Sequence, residues 1–234
     1  MITLAIDTSH YPLSVALVSE TEFIGERTIH VKKNHSVRVM PTIEEFLKEC
    51  EVTQDQISRV AVAKGPGSYT GLRIGVTIAK TLAWSWNVPL VGVSSLLSIC
   101  GNARFYPELV CPIFDARRGL VYTGLYSFTD GQPKTMKEDT NILLTDWLEE
   151  LSTLQKNILF VGNDLVTFKQ EITNVLGDRA QFVSNTASMP SAAWIAEVAQ
   201  SLRAEDVHTF EPSYVRLAEA EAKWQEEQEK SNGQ

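Results

Sequence analysis

No run of this 234-residue chain approaches the roughly 18 consecutive apolar residues that a membrane-spanning helix needs, so a soluble protein is expected. Cysteine is scarce: Cys50, Cys100 and Cys111 are odd in number and widely spaced, without a CxxC pair. That spacing fits neither a disulfide framework nor a zinc site and reads as reduced, buried thiols. Among His10, His30, His35 and His208 no pair has the HxxxH spacing that sets two imidazoles on one helical face, which argues against a catalytic metal. Positive charge is also short. Lys and Arg number 21 against 29 Asp and Glu, for a net charge of −8. An RNA substrate would therefore be held mostly by another subunit, because neutralising phosphates takes clustered Lys and Arg.

Several catalytic loops are missing as well. No glycine is followed by Gly-Lys at the GxxxxGK[ST] spacing, and Thr70 stands where GxGxxG needs its third glycine. Ser68 lacks the flanking glycines of a GxSxG elbow and reads as a turn or cap.

What is present is ordinary globular material, 44% hydrophobic and 21% charged, and long enough for two small domains sharing an interface. The opening Met1 to Asp7 has no basic leader before its apolar residues, which predicts a chain that stays in the cytosol. Thr3 to Asp7 and Ser14 to Val18 read as a hairpin broken at His10-Tyr11-Pro12, with a third strand over Phe23 to Val31. A helix follows from about Ser36 to Cys50, kinked or restarted at Pro41, with Met40, Ile43, Leu47 and Cys50 on one apolar stripe. Then come a strand over Arg59 to Ala63, a glycine loop, a helix to about Asn87, a strand over Pro89 to Val93 and a helix over Ser94 to Gly101.

From Leu109 the pattern starts afresh. Strands are expected at Val110 to Phe114, around Val121 to Phe128 and at Ile158 to Val161, with helices at Trp147 to Leu151, Leu165 to Leu176 and Ala192 to Leu202. This divides the chain into an N-terminal lobe, residues 1–104, a smaller C-terminal lobe, residues 105–216, and a charged tail, residues 217–234. The helix at about residues 191–204 is expected to pack back on the first lobe.

The sharpest feature is the segment Gly65 to Gly75, where a glycine loop joins a strand to a helix. Such a loop can turn backbone N–H groups and a helix N-terminus toward a phosphate. Gly65 and Gly67 are candidates for that role, with Asp7, Thr8 and Ser9 at the end of the first strand. Asp7 suits either a hydrated magnesium ion beside a nucleotide or simple turn chemistry. Gly71, Gly75, Ala79 and Ala83 form a row of small residues that admits another backbone, and Leu72 and Val76 flank it. Either the chain's own sheet or another protein covers that helix.

Five segments together closely resemble the bacterial TsaB (YeaZ) family: Ala5-Ile6-Asp7-Thr8-Ser9, His35-Ser36, the run GPGSYTGLRIG over residues 65–75, Asp115-Ala116-Arg117-Arg118, and Glu211-Pro212-Ser213-Tyr214-Val215-Arg216. They occur in the family's order and reach nearly the whole chain. The resemblance implies an α/β fold of two actin-like (ASKHA, ribonuclease H-like) lobes with mixed sheets flanked by helices. It also implies work in making threonylcarbamoyladenosine beside the anticodon of tRNAs that read codons beginning with A.

In that pathway a TsaB-like chain pairs with its catalytic paralogue TsaD, and the ATPase TsaE joins the pair. ATP or ADP and a metal then belong to the complex, with no cofactor, metal or catalytic residue on this chain. The paralogue's HxxxH would fall at Ser95 and Ile99, which cannot coordinate metal as imidazole does. The implied contact with TsaD uses Met40, Ile43 and Leu47 of one helix and Gly71, Leu72, Gly75, Val76 and Ala79 of the other. The same face would pair a lone chain with itself. A free-standing ATP-dependent phosphotransferase is the alternative, and a metallopeptidase a third. For Arg117, Arg118, Tyr214 and Arg216, tRNA contact and structural roles both remain open, with a structural role favoured for the last two.

Overall fold

The computed structural model describes residues 1–31 and 34–215. The charged tail and Arg216 lie outside the described residues. Two five-stranded sheets carry the fold. The first holds β1 (Ile2–Asp7), β2 (Pro12–Ser19), β3 (Phe23–His30), β4 (Ile57–Gly65) and β5 (Leu90–Ser94) in the order β3-β2-β1-β4-β5. β1 to β3 form an antiparallel meander, and β4 and β5 add in parallel. The second holds β6 (Leu109–Asp115), β7 (Leu120–Thr129), β8 (Gln132–Leu143), β9 (Ile158–Val161) and β10 (Ala180–Phe182) in the order β10-β9-β6-β7-β8. Read from the other edge, that is the same order and the same mixture of pairings.

The α-helices among the described residues are α1 (Val39–Glu49), α2 (Tyr69–Trp86), α3 (Ser95–Cys100), α4 (Leu144–Ser152), α5 (Leu165–Leu176) and α6 (Ala192–Ser201). Alternation along the first sheet decides which helix lies where. Leu4, Ile6, Leu13, Val15, Leu17, Val60 and Val62 point to one face and pack with α1 and α2. Ala5, Ala16, Ala61 and Ala63 point to the other, and small residues let a helix approach closely. α6 fills that face with its own Ala192, Ala193, Ala196 and Ala199. Its entry is fixed by Ser191, whose Oγ accepts from the Trp194 amide, and by Glu26 on β3, which accepts from the Ala193 amide at 3.1 Å.

Two expectations change. The helix from Ser36 is a 3-10 turn, His35–Val37, followed by α1. Pro41 stands third in α1, where its missing N–H would have had no intrahelical partner, and the helix runs unbroken from Val39 to Glu49. β8 and β10 are strands that the sequence pattern did not announce.

Candidate functional site

The glycine loop and the first-strand turn are laced together. Asp7 is 1% exposed; its Oδ1 accepts from the Ser9 amide at 2.8 Å and the Ser9 hydroxyl at 2.7 Å, and its Oδ2 from Ser98 Oγ at 2.6 Å. Thr8 Oγ1 donates to the Gly71 carbonyl oxygen at 2.7 Å, and the Ser68 amide donates to the Ser9 carbonyl at 2.7 Å. The Ser9 contacts to Asp7 are those of a turn, and the Ser98 contact ties that turn to α3.

This lacing explains the small-residue row. A Cβ on Gly71 would overlap the Thr8 carbonyl oxygen, and one on Gly75 would overlap Thr8 Oγ1. The backbone that approaches this row is the chain's own. Of the residues expected to meet TsaD, Ile43, Gly71, Leu72, Gly75, Val76 and Ala79 are buried within the chain. Met40, 43% exposed, and the half-buried Leu47 stay at the surface, and so do Tyr69 and Trp84 on α2.

Gly65 is covered from another side. The segment after α6 runs back along the first lobe: the Glu205 amide donates to Leu90 O, Phe210 is buried beside α2, and Lys80 Nζ donates to the carbonyl oxygens of His208 and Phe210. The Ser213 amide donates to Lys64 O, leaving the Ser213 carbonyl where a Gly65 side chain would be. Gly65 has φ +125°, a conformation L side chains rarely adopt. Tyr214 then packs on Tyr69, ring centroids 5.1 Å apart, and its hydroxyl accepts from Arg73 Nε at 3.1 Å. Tyr214 thus ties the C-terminal segment to the start of α2.

Between the lobes lies a cleft of about 670 Å³. The first lobe lines it with His10, His35 and the residues Gly67 to Gly71, and the second with Phe114, Asp115, Arg117 and Asp164. α2 begins there, capped by Ser68 Oγ accepting from the Gly71 amide. His10 Nε2 lies 3.0 Å from Asp164 Oδ2, and its ring stacks on Phe114 at 4.8 Å. Burial pushes the Asp164 carboxyl up, but the approach of His10 and the Asp115 amide together outweigh it and hold the group below the usual carboxylate range. Sequence reasoning missed His10, Phe114 and Asp164, since no local pattern joins a turn in one lobe to a loop in the other.

On α3, Ser95 and Ile99 are both buried. Ser95 Oγ accepts from the Gly65 amide at 3.0 Å, and Ile99 belongs to the core shared by the two lobes. At the lobe junction Asp139 on β8 accepts from Ser94 Oγ of the first lobe and from Tyr126 OH of the second. Burial raises the pKa of Asp139 and that of Tyr126.

Two like-ordered mixed sheets, flanked by helices and facing each other across a glycine-loop cleft, define a protein of the actin-like, ribonuclease H-like class. The family model described as TsaD, tRNA N6-adenosine threonylcarbamoyltransferase, matches residues 24–224. The tRNA threonylcarbamoyladenosine biosynthesis protein TsaB of Bacillus subtilis is 47% identical over 228 residues, covering 97% of this chain and 100% of that one. A tRNA N6-adenosine threonylcarbamoyltransferase of Listeria monocytogenes is 42% identical over 81 residues, 35% of this chain and 24% of that protein. The solved structure of YeaZ from Pseudomonas aeruginosa superposes with a TM-score of 0.75 at 22% identity, covering 91% of this chain and 99% of the other. The chain belongs to the TsaB (YeaZ) family, named for tRNA threonylcarbamoyladenosine biosynthesis, within the wider group that the TsaD model describes.

Proposed function

We propose that the chain is a non-catalytic, activating partner of TsaD. In this reading it works in the cytoplasm, in an assembly with TsaE that installs threonylcarbamoyl on the adenosine next to the anticodon of tRNAs reading codons that begin with A. The observation that carries the non-catalytic part is the use of Ser95 and Ile99, the positions matching the paralogue's HxxxH: one bonds the glycine loop, and the other fills the interlobe core. A hydroxyl so engaged and a hydrocarbon offer no metal ligands to either a transferase or a peptidase.

The paralogue binds through the outer surface of α1 and α2, where Met40, Leu47, Tyr69 and Trp84 keep apolar area at the surface. Alone, the chain pairs with a second copy through the same face. ATP or ADP and the metal sit on the other subunits, and tRNA is held through the complex, in keeping with the net charge of −8. The phosphotransferase reading keeps one supporting observation, the glycine-loop cleft, and lacks a free carboxylate at Asp7.

The test is threonylcarbamoyl transfer to an unmodified tRNA transcript by TsaD and TsaE with a threonylcarbamoyl-adenylate source, with and without this chain. Transfer is expected to need the chain, which alone turns over no ATP. Transfer indifferent to the chain, together with ATP turnover by the chain alone, would replace this reading with the phosphotransferase.

A further inference from the structure

His10 belongs to the first lobe, on the turn between β1 and β2, yet its side-chain neighbours across the cleft belong to the second. Its ring lies on Phe114 of β6, and Nε2 approaches Asp164, the residue that precedes α5. Both side chains of the pair are largely covered, 14% and 19% exposed, so water and salt screen the contact less than they would at the surface. Nε2 is 3.0 Å from Oδ2, a close contact that does not meet the geometry of a regular hydrogen bond. A protonated imidazole makes this contact an ion pair, and a neutral one does not.

The groups around the imidazole can be named. Tyr11 is on its own turn, and His35 contacts the His10 carbonyl oxygen through Nε2 at 2.9 Å. Across the cleft stand Asp115, Arg117 and Asp164, with His30 acting on Asp164 from farther off. Asp164 is the acid in direct contact, and its Oδ2 is held in place by the Asp115 amide at 2.9 Å.

We infer that His10 is an interlobe latch: protonated, it pairs with Asp164 and holds the first-strand turn and the glycine loop against the second lobe, and on losing its proton it lets the cleft open. The lobes are also joined at the Ser94–Asp139–Tyr126 contact and through the core around α3 and α6, so release of the latch changes the angle between lobes and leaves each lobe folded.

The test is energy transfer between dyes on cysteines introduced at Glu20 in the first lobe and Asp178 in the second, in the full chain carrying Cys50→Ser. Efficiency is expected to change between pH 6 and pH 8 in the otherwise wild-type chain. His10→Ala is expected to hold the high-pH value at both, as is Asp164→Asn, and the double variant to add nothing further. Should His10→Ala fold poorly, His10→Gln keeps a polar side chain that never charges and carries the same expectation. A second readout is the Asp164 carboxylate followed by carbon NMR, whose titration should move upward when His10 is replaced. Efficiency that ignores pH in the wild-type chain, keeps its pH response in the His10 variants, or is accompanied by an unmoved Asp164 titration overturns the latch.

Discussion

Thr8 Oγ1 donates to the carbonyl oxygen of Gly71, and Thr8 Oγ1 itself occupies the place a side chain on Gly75 would take. The helix row that looks made for a neighbouring protein is a seat for the first-strand turn. Gly75→Ala is therefore expected to destabilise the lone chain by about 1–3 kcal/mol, the usual range for overpacking, and Gly75→Leu by more. Thermal unfolding of the single variants and of Gly75→Ala with Thr8→Ala checks the cause. Removing Oγ1 should recover part of the loss, so the double variant should be less destabilised than the sum.

A cleaner probe of pairing is Met40→Glu. Met40 is 43% exposed on α1, and a surface change of this kind typically moves stability by about 0.5 kcal/mol or less. The variant is expected to keep the wild-type melting temperature and to lose association with TsaD in a binding titration. Undiminished association would remove this face of α1 from the interface.

Asp139 links stability to pH at the lobe junction. Its folded pKa is raised, so the unfolded chain releases the proton first as pH increases, and this group's contribution is full below the unfolded value and lost as pH rises through the folded one. Asp139→Asn keeps an acceptor oxygen for one of the two hydroxyls, Ser94 or Tyr126, turns an NH2 donor to the oxygen of the other, and cannot ionise. Its stability relative to wild type is expected to improve as pH climbs from 4 toward 8, by at most about 1.4 kcal/mol per pH unit within the window. Urea unfolding at several pH values decides this, and a constant difference would contradict it.

Phe210 anchors the segment that returns along the first lobe. Phe210→Ala is expected to cost about 3–5 kcal/mol, as for other buried aromatic truncations. Hydrogen exchange should report the loosening at the amides of Glu205 and Ser213, which bond to Leu90 O and Lys64 O, ahead of the β1 core.

The sequence was most readable where a single local pattern decides the structure. Apolar runs marked β9, and 3.6-residue spacing marked α5 with its ends in place. β8 was hidden because Gln132–Leu143 carries Pro133, Lys134, Lys137, Glu138 and Asp139 and owes its extended form to pairing with β7 at the sheet edge. The glycine row was visible, but not its occupant, since Thr8 reaches it only after the sheet brings β1 beside β4. The meeting of His10 with Asp164 depends on how two lobes face each other, and no spacing encodes that.

α6 comes after the whole second sheet in the chain and yet covers one face of the first. On the ribosome, the alanine face of β1, β2 and β4 must wait uncovered while the second lobe is made, and it closes only once Ser201 has emerged. The lobe that begins first is therefore finished last, and a chain cut short before residue 192 would be expected to fail in its opening hundred residues, far from the cut.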